Sequence, residues 1–250
     1  MQLAGAYAEM KRDVLPRDYP DIDFSKLNIY LLEGAQHTLS AMSEFSQKHS
    51  ERYLRNMGVQ IKFGTMVQGY DGNVVTLGSG EKILSKNVIW SAGVTGNLLD
   101  GIPSDSIVRS GRIKVDRLNK VTSLQDVYAL GDVAYMETDL YPKGHPQLAN
   151  VAIGQAKNLA NNIQKQEKGQ TGLKEYEYKN LGTMATVGRN KAVVDLPFAK
   201  FKGTFAWLIW MFLHLMLILS VRNKLVVFIN WAWNYVTKNS SLRLILKKDD

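Results

Sequence analysis

The segment VYALGDVA, residues 127–134, sets an apolar run directly against a glycine and a carboxylate, Gly131 and Asp132. A glycine at the end of a buried strand lets a flat or phosphorylated cofactor approach the backbone, because no side chain stands in the way. The adjacent carboxylate can accept hydrogen bonds from the hydroxyls of a sugar or a sugar alcohol. NVIWSAGV, residues 87–94, ends in the same way with Ala92 and Gly93. We predict two buried strands whose ends line a nucleotide cleft, although either end alone would also suit a plain turn.

Glu33 ends a third apolar run, LNIYLLE, residues 27–33. In dinucleotide-binding folds an acidic residue at this place in a βαβ unit accepts hydrogen bonds from the ribose hydroxyls. The glycine motif that should precede it, G-x-G-x-x-G, is absent from the sequence. The one G-x-G of the chain, Gly78 to Gly80, lies in a predicted hairpin, and Ile83 stands in place of the third glycine. A solvated glutamate at a strand end is the plainer interpretation of Glu33 alone.

The elements that must position these residues alternate between helix and strand, as in an α/β layer. Helical spacing over residues 3–14 predicts a helix, and its apolar stripe is Leu3, Ala6, Tyr7, Met10 and Val14. Residues 43–58 predict a second helix that ends at Gly58. Asp71-Gly72 and Gly78-Ser79-Gly80 divide the next stretch into short runs, which predicts an antiparallel meander.

A third helix is predicted from Pro146 to Gln166, with Leu148, Ala152, Gln155 and Leu159 along one stripe. Residues 174–196 predict a hairpin whose turn is Gly188 to Asn190, so Arg189 and Lys191 are interpreted as turn residues rather than phosphate ligands.

Composition excludes several classes of site. The 250 residues contain no cysteine, which excludes a disulfide framework, a thiolate metal site and a cysteine nucleophile. The four histidines have no ligand spacing, and we predict no metal. The net charge of +8 is concentrated at the C-terminus: residues 200–250 hold eight Lys or Arg against Asp249 and Asp250, a net of +6.

This basic region is also apolar and rich in tryptophan. Residues 205–221 contain two polar side chains, His214 and Ser220, and a second apolar run follows Lys224. Seventeen residues make a helix of about 25 Å, short of a hydrocarbon core of about 30 Å. We therefore favour an amphipathic anchor on an anionic lipid surface over nucleic-acid binding, and a membrane span or a buried core helix remain the alternatives. The aromatic residues that suit the head-group level are Trp207, Trp210, Trp231, Trp233 and Tyr235.

Four segments, VIWSAGV, VYALGDVA, HPQLANVAIGQAKNLA and TMATVGRNKAVVDLPFAKFKGTFAWLIWMFLHL, resemble the second half of type II NADH dehydrogenases, the single-subunit, non-pumping NADH:quinone oxidoreductases. The resemblance covers nearly the whole chain. It implies a partial α/β flavoprotein with two Rossmann-like dinucleotide-binding domains, an antiparallel β meander and C-terminal membrane-associating helices. Its domains would be residues 1–95 for the NADH domain, 96–167 for the returning FAD domain, and 168–250 for the hairpin and anchor. The glycine motifs for FAD and NADH would both precede Met1.

The same resemblance assigns roles to residues. Gly131 and Asp132 would bind the ribityl chain of FAD, Glu33 the NADH ribose, and Ala92 and Gly93 the nucleotide cleft. The helix after His145 would lie beside the flavin and the quinone; its cofactor-binding residues are Gln147, Leu148 and Ala149, and its catalytic candidates are Asn150 and Gln155.

Several of these positions depart from the family pattern. Of the two glutamines in the family's A-Q-x-x-x-Q, Asn150 replaces the first and Gly154 the second, while Gln155 is rotated about 100° around the helix. Gln2 stands where the family has a glutamate, and a neutral amide cannot take up a proton. Lys202 matches a lysine near the quinone, although its basic, interfacial setting favours binding to lipid head groups.

The resemblance implies that FAD passes electrons from NADH to a membrane quinone, at the cytoplasmic face of a membrane. The partners would be NADH, a quinone and anionic lipid, with a homodimer as a further option and no nucleic acid. Sulfide:quinone oxidoreduction is excluded because it requires cysteines. The alternative from another class is a truncated or partner-dependent, membrane-anchored fragment without activity of its own.

Overall fold

The computed structural model describes residues 1–97, 99–218 and 220–237, which form two compact units. Unit 1 contains residues 1–88 and the described residues from 181 onward, and unit 2 contains the described residues between 89 and 180. The helices are α1 (Gln2–Asp13), α2 (Leu15–Asp18), α3 (Glu44–Asn56), α4 (Ala149–Glu167), α5 (Gly203–Leu217) and α6 (Val221–Thr237). The strands are β1 (Ile29–Leu32), β2 (Val59–Lys62), β3 (Val67–Tyr70), β4 (Val74–Leu77), β5 (Lys82–Leu84), β6 (Ile113–Val115), β7 (Ala134–Met136), β8 (Thr183–Gly188), β9 (Lys191–Asp195) and β10 (Lys200–Lys202). The α/β class is confirmed, while the division at 95 and 167 stays a prediction.

Two parallel strands begin unit 1. β1 pairs with β2 in the register Ile29 to Val59, and α3 connects them. Ser43 caps α3 through its hydroxyl, and Gly58 follows the helix with a φ of +83°, so the predicted ends of this helix are confirmed. The β1–β2 pair packs in a core formed by Ala4, Ala8, Leu54, Val59, Ile61 and Val187.

Helix α1 presents a different face to this core from the predicted one. Its buried residues are Ala4, Gly5 and Ala8, whereas Leu3 and Tyr7 are exposed. The helix approaches β8 so closely that a Cβ on Gly5 would lie 1.7 Å from the carbonyl oxygen of Val187. The predicted stripe is wrong because the backbones of α1 and β8 come so close that only the face with small residues can be buried between them.

The predicted meander is confirmed. β3, β4 and β5 form an antiparallel sheet whose turns lie at Asp71-Gly72 and at Gly78 to Gly80. Asp71 stabilises the first turn, since its carboxylate accepts hydrogen bonds from the amides of Asn73 and Val74 at 2.8 and 2.7 Å.

The predicted hairpin is confirmed for residues 183–195, whereas residues 174–182, which are predicted to belong to it, form no strand. β8 and β9 are antiparallel around Arg189 and Asn190, and β10 pairs with the other edge of β9. The turn contacts two helices of unit 1. The amide of Arg189 donates to the carboxylate of Glu9 in α1 at 2.6 Å, and its guanidinium donates to the carbonyls of Asn234 and Tyr235 in α6 at 2.7 and 3.2 Å. Arg189 thus acts as a turn residue, as the sequence predicts.

A single carboxylate joins this hairpin to α3. Asp195, the last residue of β9, accepts hydrogen bonds from the amide and hydroxyl of Ser43 at 2.7 and 2.8 Å and from the hydroxyl of Ser46 at 2.7 Å. These bonds lower the pKa of Asp195 despite its partial burial, which acts in the opposite direction. The start of α3 is therefore fixed to the edge of the sheet.

The two apolar runs near the C-terminus form two helices, as the resemblance implies. α5 ends at Leu217, Ile218 is extended, and α6 begins at Val221. The helices pack with the rings of Trp210 and Trp231 stacked 6.0 Å apart, and those of Trp207 and Tyr235 5.6 Å apart. No helix within the described residues is long and apolar enough to cross a membrane. The basic residues predicted in the tail, Lys238, Arg243, Lys247 and Lys248, lie outside the described residues.

Unit 2 contains a parallel pair, β6 and β7, with the core residues Ile113, Val115, Val121, Ala129, Ala134 and Met136. Two predicted strands are wrong. Residues 87–94 have no strand partner in the described chain and expose Ile89, Trp90 and Val94, so their backbone does not enter a sheet. Residues 127–130 make one isolated bridge, between Tyr128 and Lys120, and the regular strand follows Gly131-Asp132 instead of preceding it.

Candidate functional site

The turn at Gly131 is built around a close backbone approach. Residues Gly131–Val133 form one turn of 3₁₀ helix, and Gly131 is buried with a φ of +73°, a conformation that favours glycine. Its amide donates a 2.7 Å hydrogen bond to Oε1 of Gln155, which lies on α4. A Cβ on Gly131 would lie 3.2 Å from the Cβ of Ala152 on the same helix. The glycine thus lets α4 pack directly on the turn.

Gln155 fixes the turn from inside unit 2. It is 1 % exposed, and its Nε2 atom is buried without a hydrogen-bond partner in the described chain. A buried amide nitrogen without a partner is costly, which marks the site as one that a further acceptor would complete. The sequence predicts Gln155 as a catalytic candidate; in the structure it supports the backbone of the cofactor-binding candidate Gly131.

Asp132 follows the buried glycine and is exposed. Its carbonyl oxygen accepts a hydrogen bond from Nε2 of Gln147 at 3.1 Å, so the turn and the approach to α4 are tied together. Its carboxylate makes no hydrogen bond within the described chain and is available to hydroxyl donors. The sequence predicts that a cofactor approaches Gly131, but in the structure α4 occupies that position. The role of Asp132 as an acceptor for a cofactor stays a prediction.

Arg112 holds the two segments that frame the turn. Its guanidinium is buried and donates to the carbonyl of Ala134 at 2.5 and 3.1 Å and to the carbonyl of His145 at 2.9 Å. Burial lowers the pKa of Arg112, and the nearby Tyr135 and Asp132 oppose that shift. No local pattern in the sequence indicates this role of Arg112, because its partners are carbonyls 22 and 33 residues away.

The start of α4 is the second part of the site. Leu148, the N-cap residue, gives no side-chain cap, and Leu148, Ala149 and Asn150 are all exposed. The first amides of a helix have no intrahelical acceptor and carry a partial positive charge, so they favour an electron-rich ligand group. Gln147, Leu148 and Ala149, the predicted cofactor-binding residues, thus form one exposed strip beside Asp132.

Two tyrosines contact Asn150 and Gly154, the residues that stand where the family pattern has glutamines. Nδ2 of Asn150 donates to the hydroxyl of Tyr178 at 3.3 Å. A Cβ on Gly154 would lie 2.5 Å from the hydroxyl oxygen of Tyr176. Gly154 therefore makes room for Tyr176, and phenol groups from outside α4 lie against this part of the helix.

A buried histidine lies beneath the same tyrosines. His145 is 1 % exposed, and its ring contacts Tyr141, Tyr176 and Tyr178 at centroid distances of 5.0, 5.5 and 6.3 Å. Its Nε2 lies 3.3 Å from a carboxylate oxygen of Glu177, while its Nδ1 has no partner in the described chain. Burial lowers the pKa of His145, and Glu177 opposes that shift in part. The sequence carries no spacing signal for this cluster.

Glu33, in unit 1, ends β1 as predicted. Its amide donates to the carbonyl of Lys62 at 2.9 Å, which extends the parallel pair by one residue. Its Oε1 accepts the amide of Ala35 at 2.9 Å, and its Oε2 makes no hydrogen bond within the described chain. The carboxylate is therefore oriented by its own loop, and it also interacts electrostatically with the amino group of Met1.

The remaining predicted residues are distributed over both units. Gln2 is exposed in the first turn of α1, and Ala92 and Gly93 are exposed in the irregular segment described above. Lys202 is exposed at the start of α5, where its Nζ donates to Nε2 of His49 at 2.7 Å. Because Nδ1 of His49 lies 2.7 Å from the carbonyl oxygen of Phe45, that nitrogen carries the proton and Nε2 accepts.

The donor set in unit 2 fits a flavin nucleotide rather than a metal. No cluster of three or more metal-ligating side chains occurs among the residues that the structure describes. Asp132 provides an acceptor for hydroxyls and the start of α4 a positive helix end, which together suit a sugar alcohol attached to a polar ring system.

Family models match both parts of the sequence. Residues 1–156 match the model described as pyridine nucleotide-disulphide oxidoreductase, and residues 180–238 match the NDH2 C-terminal domain. Since the first model covers more than half of the chain, the chain belongs to the pyridine nucleotide-disulphide oxidoreductase family. The second model and the similar proteins confirm the resemblance to type II NADH dehydrogenases.

Among the relatives, the type II NADH:quinone oxidoreductase Ndh of Mycobacterium tuberculosis is 30 % identical over 251 aligned residues, which cover 95 % of this chain and 52 % of that protein. A mitochondrial internal alternative NAD(P)H-ubiquinone oxidoreductase A1 of Solanum tuberosum is 32 % identical over 84 % of this chain and 45 % of its own length. The chain spans about half the length of the curated relatives it matches.

A solved structure shows the same fold. The NDH2 of Plasmodium falciparum, solved in complex with NADH, superposes with a TM-score of 0.84 at 17 % identity, over 94 % of this chain and 63 % of that one. This likeness supports the fold predicted from the sequence, a Rossmann-type flavoprotein with additional C-terminal helices.

Proposed function

We propose that this chain serves an FAD-dependent oxidoreductase that transfers electrons from NADH to a membrane quinone without pumping protons. The observation that carries the proposal is the Gly131-Asp132 turn, whose amide is fixed by Gln155 and whose Asp132 carbonyl oxygen accepts a hydrogen bond from Gln147, just before α4. FAD, when bound, would supply the chemistry, because a flavin accepts a hydride from NADH and releases two electrons to a quinone. The relatives named as quinone oxidoreductases support this assignment.

The residues of the chain would bind and orient the reactants. Asp132 would accept hydrogen bonds from ribityl hydroxyls, and Gln147, Leu148 and Ala149 would present the positive end of α4 to the electron-rich edge of the ring system. In unit 1, Oε2 of Glu33 would accept a hydrogen bond from the ribose of NADH. Asn150 and Gln155 are proposed for the flavin region, Gln2 for the nicotinamide, and Ala92 and Gly93 for the nucleotide cleft.

The quinone is soluble in lipid, which gives the C-terminal helices a role. α5 and α6 expose large apolar side chains, among them Phe205, Phe212, Leu217, Ile229 and Trp233. We propose that this pair lies in the head-group region of a membrane as a peripheral anchor on its cytoplasmic face, with Lys202 close to the lipid surface or the quinone. A protein that oxidises soluble NADH and reduces a lipid-soluble quinone must work at such a boundary.

Flavin content tests the proposal directly. The 250-residue chain, purified in detergent and incubated with FAD, should retain the yellow flavin absorbance after gel filtration. Asp132→Ala should weaken FAD binding by about tenfold or more, because hydrogen bonds to a charged group contribute about 1.5–3 kcal/mol. Asp139→Ala, which removes another exposed carboxylate of unit 2, should bind FAD like the wild type. Equal retention by both variants would contradict the assignment of Asp132.

Activity is a separate measurement. NADH oxidation with an added quinone should follow from FAD binding and should fall in Glu33→Ala with a raised KM for NADH.

A second candidate is a partner-dependent role, favoured by the exposure of Ile89, Trp90 and Val94 on a segment without a strand partner in the described chain. In that case the isolated chain would bind FAD only after addition of a partner. The FAD retained after gel filtration, measured with and without the partner, distinguishes this role from that of an oxidoreductase that binds FAD by itself.

A further inference from the structure

An open groove in unit 2 is lined by an unusual number of cations. It lies between α4 and residues 170–179 and encloses about 730 Å³. Its lysines are Lys157, Lys165, Lys168, Lys174 and Lys179. The groove is distinct from the Gly131 turn. Apart from Gly154, the residues of α4 that line the groove lie after the first six residues of the helix, whereas the turn lies beside the start of the helix.

The walls of the groove are held together by hydrogen bonds. Nδ2 of Asn158 and Nδ2 of Asn162 both donate to the carbonyl of Lys174 at 2.8 Å, and the amide of Lys174 donates back to Oδ1 of Asn162 at 2.9 Å. Nζ of Lys165 donates to the carbonyl of Gly172 at 3.1 Å. A ligand would therefore meet a preformed site and would not need to order the opposite wall.

The acidic residues of the groove are already paired. Arg117 bonds to Glu175 at 3.0 Å and to Glu177 at 3.2 Å, and Glu177 also accepts the hydroxyl of Thr138 at 2.9 Å. None of the five groove lysines forms an ion pair within the part of the chain that the structure describes. The groove is consequently a concave surface with a concentrated positive charge, which attracts anions.

The spacing of the cations indicates which anion fits. Lys157 lies on α4 and Lys168 is its C-cap residue, and at 1.5 Å per residue they are about 16 Å apart along the helix axis. A single phosphate would pair with one end only, whereas a chain of linked phosphates reaches several ammonium groups. A flat layer of lipid head groups would contact the rim of the groove but not its interior.

We propose that this groove binds a small molecule with two or more linked phosphate groups. This inference goes beyond the proposed oxidoreductase and does not depend on it, since none of the groove lysines belongs to the flavin-binding or nucleotide-binding candidates. Phosphate oxygens would pair with the lysine ammonium groups, and the binding would weaken with salt because exposed charges are screened.

The test measures the binding of inorganic tripolyphosphate to the full chain by isothermal titration calorimetry, at low and at physiological salt. The groove variant is Lys157→Gln/Lys168→Gln/Lys174→Gln, in which all three side chains are exposed and none makes a side-chain hydrogen bond in the described structure. The matched control is Lys82→Gln/Lys86→Gln/Lys114→Gln, three exposed lysines outside the groove with the same change in net charge.

We expect one tripolyphosphate per chain, with an affinity that falls about tenfold or more in the groove variant and about twofold or less in the control. An equal loss in both variants would show that only net charge matters and would overturn the proposal, as would the absence of saturable binding. Groove-dependent binding to vesicles of anionic phospholipid without binding of tripolyphosphate would also overturn it, in favour of a membrane contact. The FAD content of the groove variant should equal that of the wild type, so failure here is distinguishable from failure of the proposed oxidoreductase.

Discussion

Oε1 of Gln155 lies 2.7 Å from the backbone nitrogen of Gly131 and accepts its hydrogen bond in the interior of unit 2. A side chain of α4 thus takes the place of a strand partner for the turn that carries Asp132. The shape of the candidate flavin site depends on this bond and on the absence of a side chain at Gly131.

The first prediction concerns this bond. Gln155→Leu should lower the free energy of unfolding by about 1–3 kcal/mol, because it leaves the buried amide of Gly131 without an acceptor. Thermal unfolding followed by circular dichroism measures the effect. Gln164→Leu, an exposed position on the same helix, is the control and should change stability by less than about 0.5 kcal/mol. An equal loss in both variants would mean that the bond does not stabilise the turn.

The second prediction concerns pH. The pKa of Asp195 is lowered in the folded state, so its hydrogen bonds to Ser43 and Ser46 stabilise the fold above the unfolded pKa of about 3.9. Stability should fall as the pH drops below that value through the lower folded pKa, since the folded carboxylate must then take up a proton. Asp195→Asn should flatten this acid limb and lower stability at neutral pH by about 1–3 kcal/mol.

Urea unfolding at several pH values measures both effects. Asp21→Asn, at an exposed position in unit 1, is the control and should retain the acid limb of the wild type. An unchanged acid limb in Asp195→Asn would assign the pH dependence to other groups.

The third prediction concerns the approach of α1 to β8. Gly5→Ala places a Cβ 1.7 Å from the carbonyl oxygen of Val187, so the helix must move away from the sheet. We expect a loss of about 1–3 kcal/mol, as for other overpacked sites, measured by thermal unfolding. Gly69→Ala has open space around it and serves as the control. Wild-type stability in Gly5→Ala would show that α1 is not packed as described.

The fourth prediction concerns Gly154 and Tyr176. Gly154→Gln restores the family residue but collides with the Tyr176 hydroxyl, and it should destabilise unit 2 by about 1–3 kcal/mol. The second change Tyr176→Ala should remove most of that penalty relative to Tyr176→Ala alone, because the two side chains compete for one space. A double-mutant cycle in thermal unfolding measures the coupling, and additive effects would show that the two residues do not interfere.

The sequence predicts those elements whose structure is decided locally. Asp71-Gly72 and the glycines at 78 and 80 form the turns of the meander, and Gly58 follows α3, because these residues set backbone geometry by themselves. The family resemblance, confirmed by the matching models, depends on such short motifs together with the aromatic C-terminal region.

Features that depend on distant partners were not predictable. The apolar run at residues 87–94 has strand composition, but strand formation requires a neighbouring strand to pair with. Arg112 and His145 carry no local signal, since their roles come from contacts with Ala134 and Glu177 across unit 2. The buried face of α1 was missed because backbone proximity at Gly5 outweighs the burial of Leu3 and Tyr7.

Arg189 connects two helices that are far apart in the sequence, α1 and α6. Its backbone amide donates a hydrogen bond to Glu9 of α1, while its guanidinium donates to the carbonyls of Asn234 and Tyr235 in the last turn of α6. The last turn of α6 is therefore joined to α1 through a single residue of the hairpin, in addition to the apolar packing of α5 on β9. Arg189→Ala would release the last turn of α6 from the hairpin but would keep the bond to Glu9, because the backbone amide makes that bond.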